Sequence, residues 1–208
     1  MSPLSTALLA LAFLLASSAQ DIEDNRVNVS LYYESLCPDS VRFVVNELQP
    51  TWEQLAGYMN IRFIPFGKSW SEMNRRKERV FRCQHGPREC LGNKMQSCGL
   101  SLLPTQESQV KFVTCVMSKQ DPSSAGPECC REVGLDFLRL RECYYSSLSD
   151  ELQLEAEQET NSIRNPLRFV PTIVYNGVFN PRKQDESLYN FKAVVCSQIP
   201  QPPEACLA

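Results

Sequence analysis

Cys37 is the residue best placed for chemistry. It lies in Glu34-Ser35-Leu36-Cys37-Pro38-Asp39-Ser40, between an alternating apolar stretch and a segment of helical spacing. A cysteine that leaves a strand and opens a helix meets free N–H groups and the positive end of the helix dipole, which stabilise a thiolate. Such a sulfur is nucleophilic and redox-active. The competing reading is a structural disulfide. The chain has 10 cysteines and one histidine, His85. One histidine excludes multi-histidine metal centres. Paired Cys-x-x-Cys spacings are absent, so no zinc site is expected, and no cofactor is called for. No phosphate-loop or dinucleotide fingerprint occurs either.

The elements that must position Cys37 can be read around it. Val27, Val29, Leu31 and Tyr33 alternate with more polar residues, as on a half-buried strand. Pro38 suits a first helical turn, and Val41, Val44, Val45 and Leu48 recur at helical spacing. Pro50 should kink or end that helix, with Gly57 as a stop. Asn60 to Phe66 reads as a second strand, so Val27–Phe66 forms a βαβ unit with a parallel pair. Far downstream, Phe169 to Tyr175 reads as a strand, Asn176-Gly177 as a hairpin turn and Val178-Phe179 as the start of a return strand. A last helix is expected near Asp185 to Ile199. Residues 67–169, mostly helix-like and cysteine-rich, read as an insertion between two halves that cannot close a sheet separately. Glu151 to Glu159 reads as a solvated helix face. The expectation is an α/β, thioredoxin-like fold with a mainly helical insertion. In that layout a cis proline abuts the reactive sulfur, and Val170-Pro171 is the candidate.

The 208 residues are 43% hydrophobic and 22% charged, an ordinary globular composition. A net charge of −3 argues against nucleic-acid binding. Leu8 to Ala16 is a short apolar run followed by Ser17-Ser18-Ala19, which reads as a signal peptide over residues 1–19. Residues 20–208 then form a single domain. The run is too short for a membrane span, and no later one is apolar enough. The mature chain is expected outside the cell or in a secretory or lysosomal lumen, where cysteines oxidise. Asn28-Val29-Ser30 is a glycosylation sequon that fits this route.

Cys83-Gln84-His85-Gly86-Pro87-Arg88-Glu89-Cys90, with Asn93 and Cys98, resembles the CQHGxxECxxNxxxxC signature of the gamma-interferon-inducible lysosomal thiol reductase family. Tyr32 to Asp39, Val170-Pro171 with Asn176-Gly177, and Cys196 and Cys206 are similar to other parts of that family. The resemblance implies a thioredoxin-like fold and ancestry in enzymes that reduce protein disulfides. It also implies a structural cysteine set: Cys83, Cys90, Cys98, Cys115, Cys129, Cys143, Cys196 and Cys206, of unknown connectivity. Cys37 and Cys130 are left over. Both free, Cys130 inert with Cys37 reactive, an intermolecular bridge, or a Cys37–Cys130 bridge all remain open.

This chain departs from the family at one position. The family's active site is Cys-x-x-Cys, and here it reads Cys37-Pro38-Asp39-Ser40. A second cysteine attacks the mixed disulfide and releases the reduced substrate. Ser40 cannot resolve that bond, although its hydroxyl can hydrogen-bond to a Cys37 thiolate. Full reductase turnover should therefore be weak or lost. Two readings follow: a protein that binds an extracellular or luminal partner, or a single-thiol oxidoreductase or isomerase. The second would use Cys37, with Pro171 positioning a disulfide-containing protein substrate and an external thiol resolving the adduct. His85, held between Cys83 and Cys90, is expected to stabilise a stapled turn rather than act as a base. Arg75, Arg76 and Lys77 form a positive cluster, either a docking patch for an anionic surface or a solvated helix face, the latter favoured.

Overall fold

A computed structural model describes residues 25–163 and 167–207. The signal-peptide segment 1–19 lies outside the described residues. The chain begins with β1 (Val27–Tyr33) and passes into α1 (Pro38–Phe43), a π-helical turn (Val44–Leu48), α2 (Gln49–Leu55) and a 3₁₀ turn (Ala56–Tyr58). β2 (Met59–Pro65) follows, parallel to β1, with Val29 opposite Ile61 and Leu31 opposite Phe63.

Pro50 does not end the helical run. The wide π turn directly before it absorbs the misfit of a ring that cannot donate an N–H, and the helix resumes at Gln49. One strand–helix–strand unit thus carries Cys37 at its first bend.

The insertion does not start as helix. β3 (Trp70–Met73) and β4 (Arg79–Arg82) form a separate antiparallel hairpin. The basic cluster sits at its tip, so the expected helix face is instead a solvated turn. Asn74 holds that turn, its Oδ1 accepting the N–H groups of Arg76 at 2.8 Å and Glu78 at 2.9 Å. Helices then dominate: α3 (Pro87–Leu102), α4 (Gln106–Ser118), α5 (Gly126–Val133), α6 (Phe137–Tyr145) and α7 (Ser147–Asn161).

β5 (Thr172–Tyr175) completes the main sheet, antiparallel to β1, in the order β2-β1-β5. The expected return strand shrinks to a single bridge, Tyr175 to Val178. Residues from Asn180 onward turn into α8 (Pro181–Cys196), with Asn180 capping and Pro181 opening the helix. It begins ahead of the expected Asp185, because this cap and proline supply the start signal.

The sheet is covered on both faces. Val27, Val29, Leu31 and Tyr33 pack into the main core with Phe43, Leu48, Phe112 and Phe191. Tyr32, Ile64, Phe66 and Val174 pack with Ala156 of α7 on the other face. The acidic stretch of α7 is therefore solvated on one side only. Gln153 is buried and donates to the Pro65 carbonyl at 3.2 Å and the Ser97 hydroxyl at 2.8 Å.

All eight cysteines of the structural set pair: Cys83–Cys90, Cys98–Cys143, Cys115–Cys129 and Cys196–Cys206. Three of these tie the insertion together, and the fourth pins the C-terminal turn to α8. Cys37 and Cys130 are both free and buried. They form no bridge with each other.

Candidate active site

Cys37 is the N-cap residue of α1, extended at φ −69° and ψ 121°, with Pro38 in the first helical turn. It is 5% exposed. Its thiol points across the sheet to the Val170 carbonyl, 3.6 Å away. The next peptide bond, Val170–Pro171, is cis. Gln184 of α8 clamps this bend: its Nε2 donates to the Pro171 carbonyl at 2.9 Å, and its Oε1 accepts the Ile173 N–H at 2.8 Å. The structure thus brings Cys37 and Pro171 together over a long stretch of chain. Gln184 carried no sequence signal, since one glutamine on a helix is unremarkable until its partners are known.

Ser40 is fully buried, and its Oγ accepts the Glu34 N–H at 3.4 Å. It ties the first turn of α1 back to the end of β1. The hydrogen bond recorded for its hydroxyl runs to Glu34, whereas the sequence suggested one to Cys37.

Glu34 itself was not singled out in the sequence. It is a buried carboxylate at the strand exit. Its Oε1 accepts the Lys68 N–H at 2.7 Å. Its Oε2 lies 3.2 Å from His85 Nδ1 but receives no hydrogen bond. Nδ1 has one hydrogen to give, and the carboxylate of Glu89 takes it at 2.6 Å. Burial pushes the Glu34 carboxyl up to about 7. The Lys68 N–H opposes that rise, the neighbouring Glu89 carboxylate adds to it and His85 opposes it.

The stapled turn exists as expected, with Glu89 Oε1 accepting the His85 N–H at 3.0 Å inside the Cys83–Cys90 loop. The structural reading of His85 is nevertheless incomplete. Ligating atoms of Glu34, Cys37 and His85 all lie within 4.8 Å of one another. The whole signature grips the segment before Cys37. Ser35 donates its hydroxyl to the Glu89 carbonyl at 3.0 Å and its N–H to Asn93 Oδ1 at 2.9 Å. Tyr33 donates its hydroxyl to Gln96 at 2.7 Å. Glu89, Asn93 and Gln96 share one face of α3, all fully buried.

The family model described as gamma interferon inducible lysosomal thiol reductase (GILT) matches residues 28–133. The chain belongs to the GILT family. It is 31% identical to GILT-like protein 1 of Drosophila melanogaster, over 87% of this chain and 78% of that one. It is 33% identical to the gamma-interferon-inducible lysosomal thiol reductase of Carassius auratus, over 86% and 72%. Among solved structures it is similar to the oxidoreductase DsbA of Xylella fastidiosa, with a TM-score of 0.54 at 13% identity over 84% of this chain and 87% of that one. DsbA of Chlamydia trachomatis gives 0.53 at 12%, over 78% and 82%. These structural likenesses establish a thioredoxin-like fold for this GILT-family chain.

The other sequence candidates lie away from this centre. Cys130 is buried in α5, where burial and, secondarily, Asp136 push its thiol up to about 11, so it stays protonated. Asn28 is exposed on β1, its Oδ1 accepting from Asn60 at 3.1 Å. Among the described residues no helix is long and apolar enough to cross a membrane.

Proposed function

We propose that this GILT-family protein is secreted, has lost autonomous disulfide-reductase turnover, and acts by engaging an extracellular or luminal protein partner. The observation that carries this reading is Ser40 in the place of the resolving cysteine. A mixed disulfide formed at Cys37 has no thiol three positions on to release it. Oxidation of Cys37 and Ser40 to a stored disulfide is chemically closed.

A second reading is favoured by the geometry of Cys37. Cys37 is unpaired and occupies the N-cap position of a helix, and its thiol faces the carbonyl next to a cis proline. That arrangement supports single-thiol chemistry. The Cys37 thiolate attacks a partner disulfide, one sulfur of the partner leaves as thiolate, and an external thiol later displaces Cys37 from the adduct. A cleft of about 420 Å³ beside the cis bend, lined by Leu167, Phe169, Thr172, Phe179 and Pro181, suits an extended segment of a partner. The exposed Arg75, Arg76 and Lys77 at the hairpin tip offer a separate positive patch for an anionic surface.

The deciding assay is reduction of a disulfide-bonded protein substrate, with and without a small external thiol. Lost turnover predicts background activity in both conditions. Activity that appears only with the external thiol and vanishes in Cys37→Ser supports the single-thiol reading. Activity without an external thiol overturns both. Release of the processed chain into the medium tests secretion.

A further inference from the structure

Cys37 Sγ, a ring nitrogen of His85 and a carboxylate oxygen of Glu34 all lie within 4.8 Å of one another. They come from three separate places: the head of α1, the stapled loop before α3, and the end of β1. We infer that these three side chains form a binding site for a divalent transition cation of the zinc type, with a fourth position left open.

The donor set suits such an ion. One thiolate, one imidazole and one carboxylate form a mixed sulfur–nitrogen–oxygen environment, which selects against calcium and magnesium. Tetrahedral zinc with bonds of 2.0–2.3 Å places its ligand atoms about 3.3–3.8 Å apart. The cluster therefore has to contract by about 1 Å at its widest to reach that geometry.

A second observation points the same way. Glu34 is fully buried, and its Oε2 is left without a hydrogen-bond donor. A buried carboxylate oxygen without a partner is costly unless a cation or proton meets it. The Glu89 carboxylate lies against the same imidazole at 2.6 Å, so two buried carboxylates share one histidine. The Lys68 contact is a backbone N–H, and the Lys68 ammonium adds only the weakest of the attractions on this carboxylate. A metal ion would supply the missing positive charge. With Nε2 as the ligating nitrogen, Glu89 on Nδ1–H would serve as the outer carboxylate that fixes the histidine ring, a common support of metal-bound imidazoles. The half-exposed side of His85 offers the ion a path inward, while Cys37 and Glu34 are buried. No spacing in the sequence indicates this site, because tertiary contact alone assembles it.

Titration of the disulfide-intact full chain with Co²⁺ at neutral pH tests the inference. One equivalent should bind and produce a sulfur-to-cobalt charge-transfer band. Cys37→Ser should abolish the band, and Glu34→Gln and His85→Ala should each weaken binding by about tenfold or more. Zn²⁺ should displace the cobalt. In the unmutated protein Zn²⁺ should also slow alkylation of Cys37 by about twofold at half saturation and about tenfold once free Zn²⁺ reaches about nine times its Kd, and leave Cys130 unchanged, a readout independent of how the variants fold. Absence of a band in folded protein overturns the inference. So does a band that survives Cys37→Ser, or alkylation of Cys37 indifferent to Zn²⁺. Cys37 alkylation measured without metal reports separately on the single-thiol reading.

Discussion

His85 Nδ1 lies 3.2 Å from Glu34 Oε2 and 2.6 Å from Glu89 Oε2. One imidazole thus joins the end of β1 to the first turn of α3, within 4.8 Å of the free Cys37 thiol. The signature that marks the family is the clamp on the segment that delivers Cys37.

Stability should depend on pH through Glu34. Its carboxyl is raised from 4.5 to about 7 in the folded protein by burial. Below pH ~4.5 both folded and unfolded chains carry the proton, and nothing is lost. Between ~4.5 and ~7 the unfolded chain has released it while the folded chain holds it, so stability falls as pH rises through this window. The total is about 3 kcal/mol at 1.36 kcal/mol per unit between 4.5 and about 7. Thermal melts in chelator should show a higher midpoint at pH 5 than at pH 7.5. Glu34→Gln should flatten this dependence.

Ser40→Cys should create a dithiol. The site is buried and compact, and the sulfur adds little volume. Reduction of a protein disulfide without external thiol should rise at least about tenfold over the unmutated chain, since a resolving thiol restores turnover. An inert Ser40→Cys protein with normal folding would show that the lesion extends beyond that residue.

Cys37 and Cys130 should separate under native alkylation. Cys130 is completely buried and its thiol is pushed up to about 11. Cys37 keeps a little exposure and stands at a helix N-terminus. A small reagent at pH 7 should label Cys37 at least about tenfold faster, as read by mass spectrometry. Denaturant should equalise the two.

Gly67→Ala should disrupt the floor of the site. Gly67 has φ +61°, and an added Cβ would come 2.3 Å from Glu34 Cγ. Left-handed strain and overpacking together should cost about 2–4 kcal/mol. Denaturant melts measure the loss. If strain alone mattered, Gly134→Ala, whose Cβ meets nothing within 4 Å at φ +70°, would cost as much. The expectation is that it costs clearly less.

The local pattern around Cys37 was legible in the sequence. Alternation in Val27–Tyr33 marked β1, Pro38 marked the helix start, and Val170-Pro171 marked the strand beyond. These are short-range signals, set by side-chain period and by the proline ring. The sequence alone also shows a serine, Ser40, three positions after Cys37. The hairpin Trp70–Arg82 was not legible, because its strands of four residues lie exposed or half-buried and lack a clear apolar alternation. The π turn before Pro50 was also hidden, since packing against α8 decides whether a helix bends or stops. There the Glu47 carboxylate accepts the Phe191 N–H at 3.0 Å, at a kink in α8.

The disulfide pairing and the meeting of Glu34, Cys37, His85 and Glu89 belong to tertiary structure. Each of these side chains has an ordinary local setting, and nothing in its neighbours along the chain says what it faces. Their charges and sulfurs interact only over a few ångströms, so their chemistry was decided when α3 packed against the end of β1 and buried two carboxylates beside one imidazole.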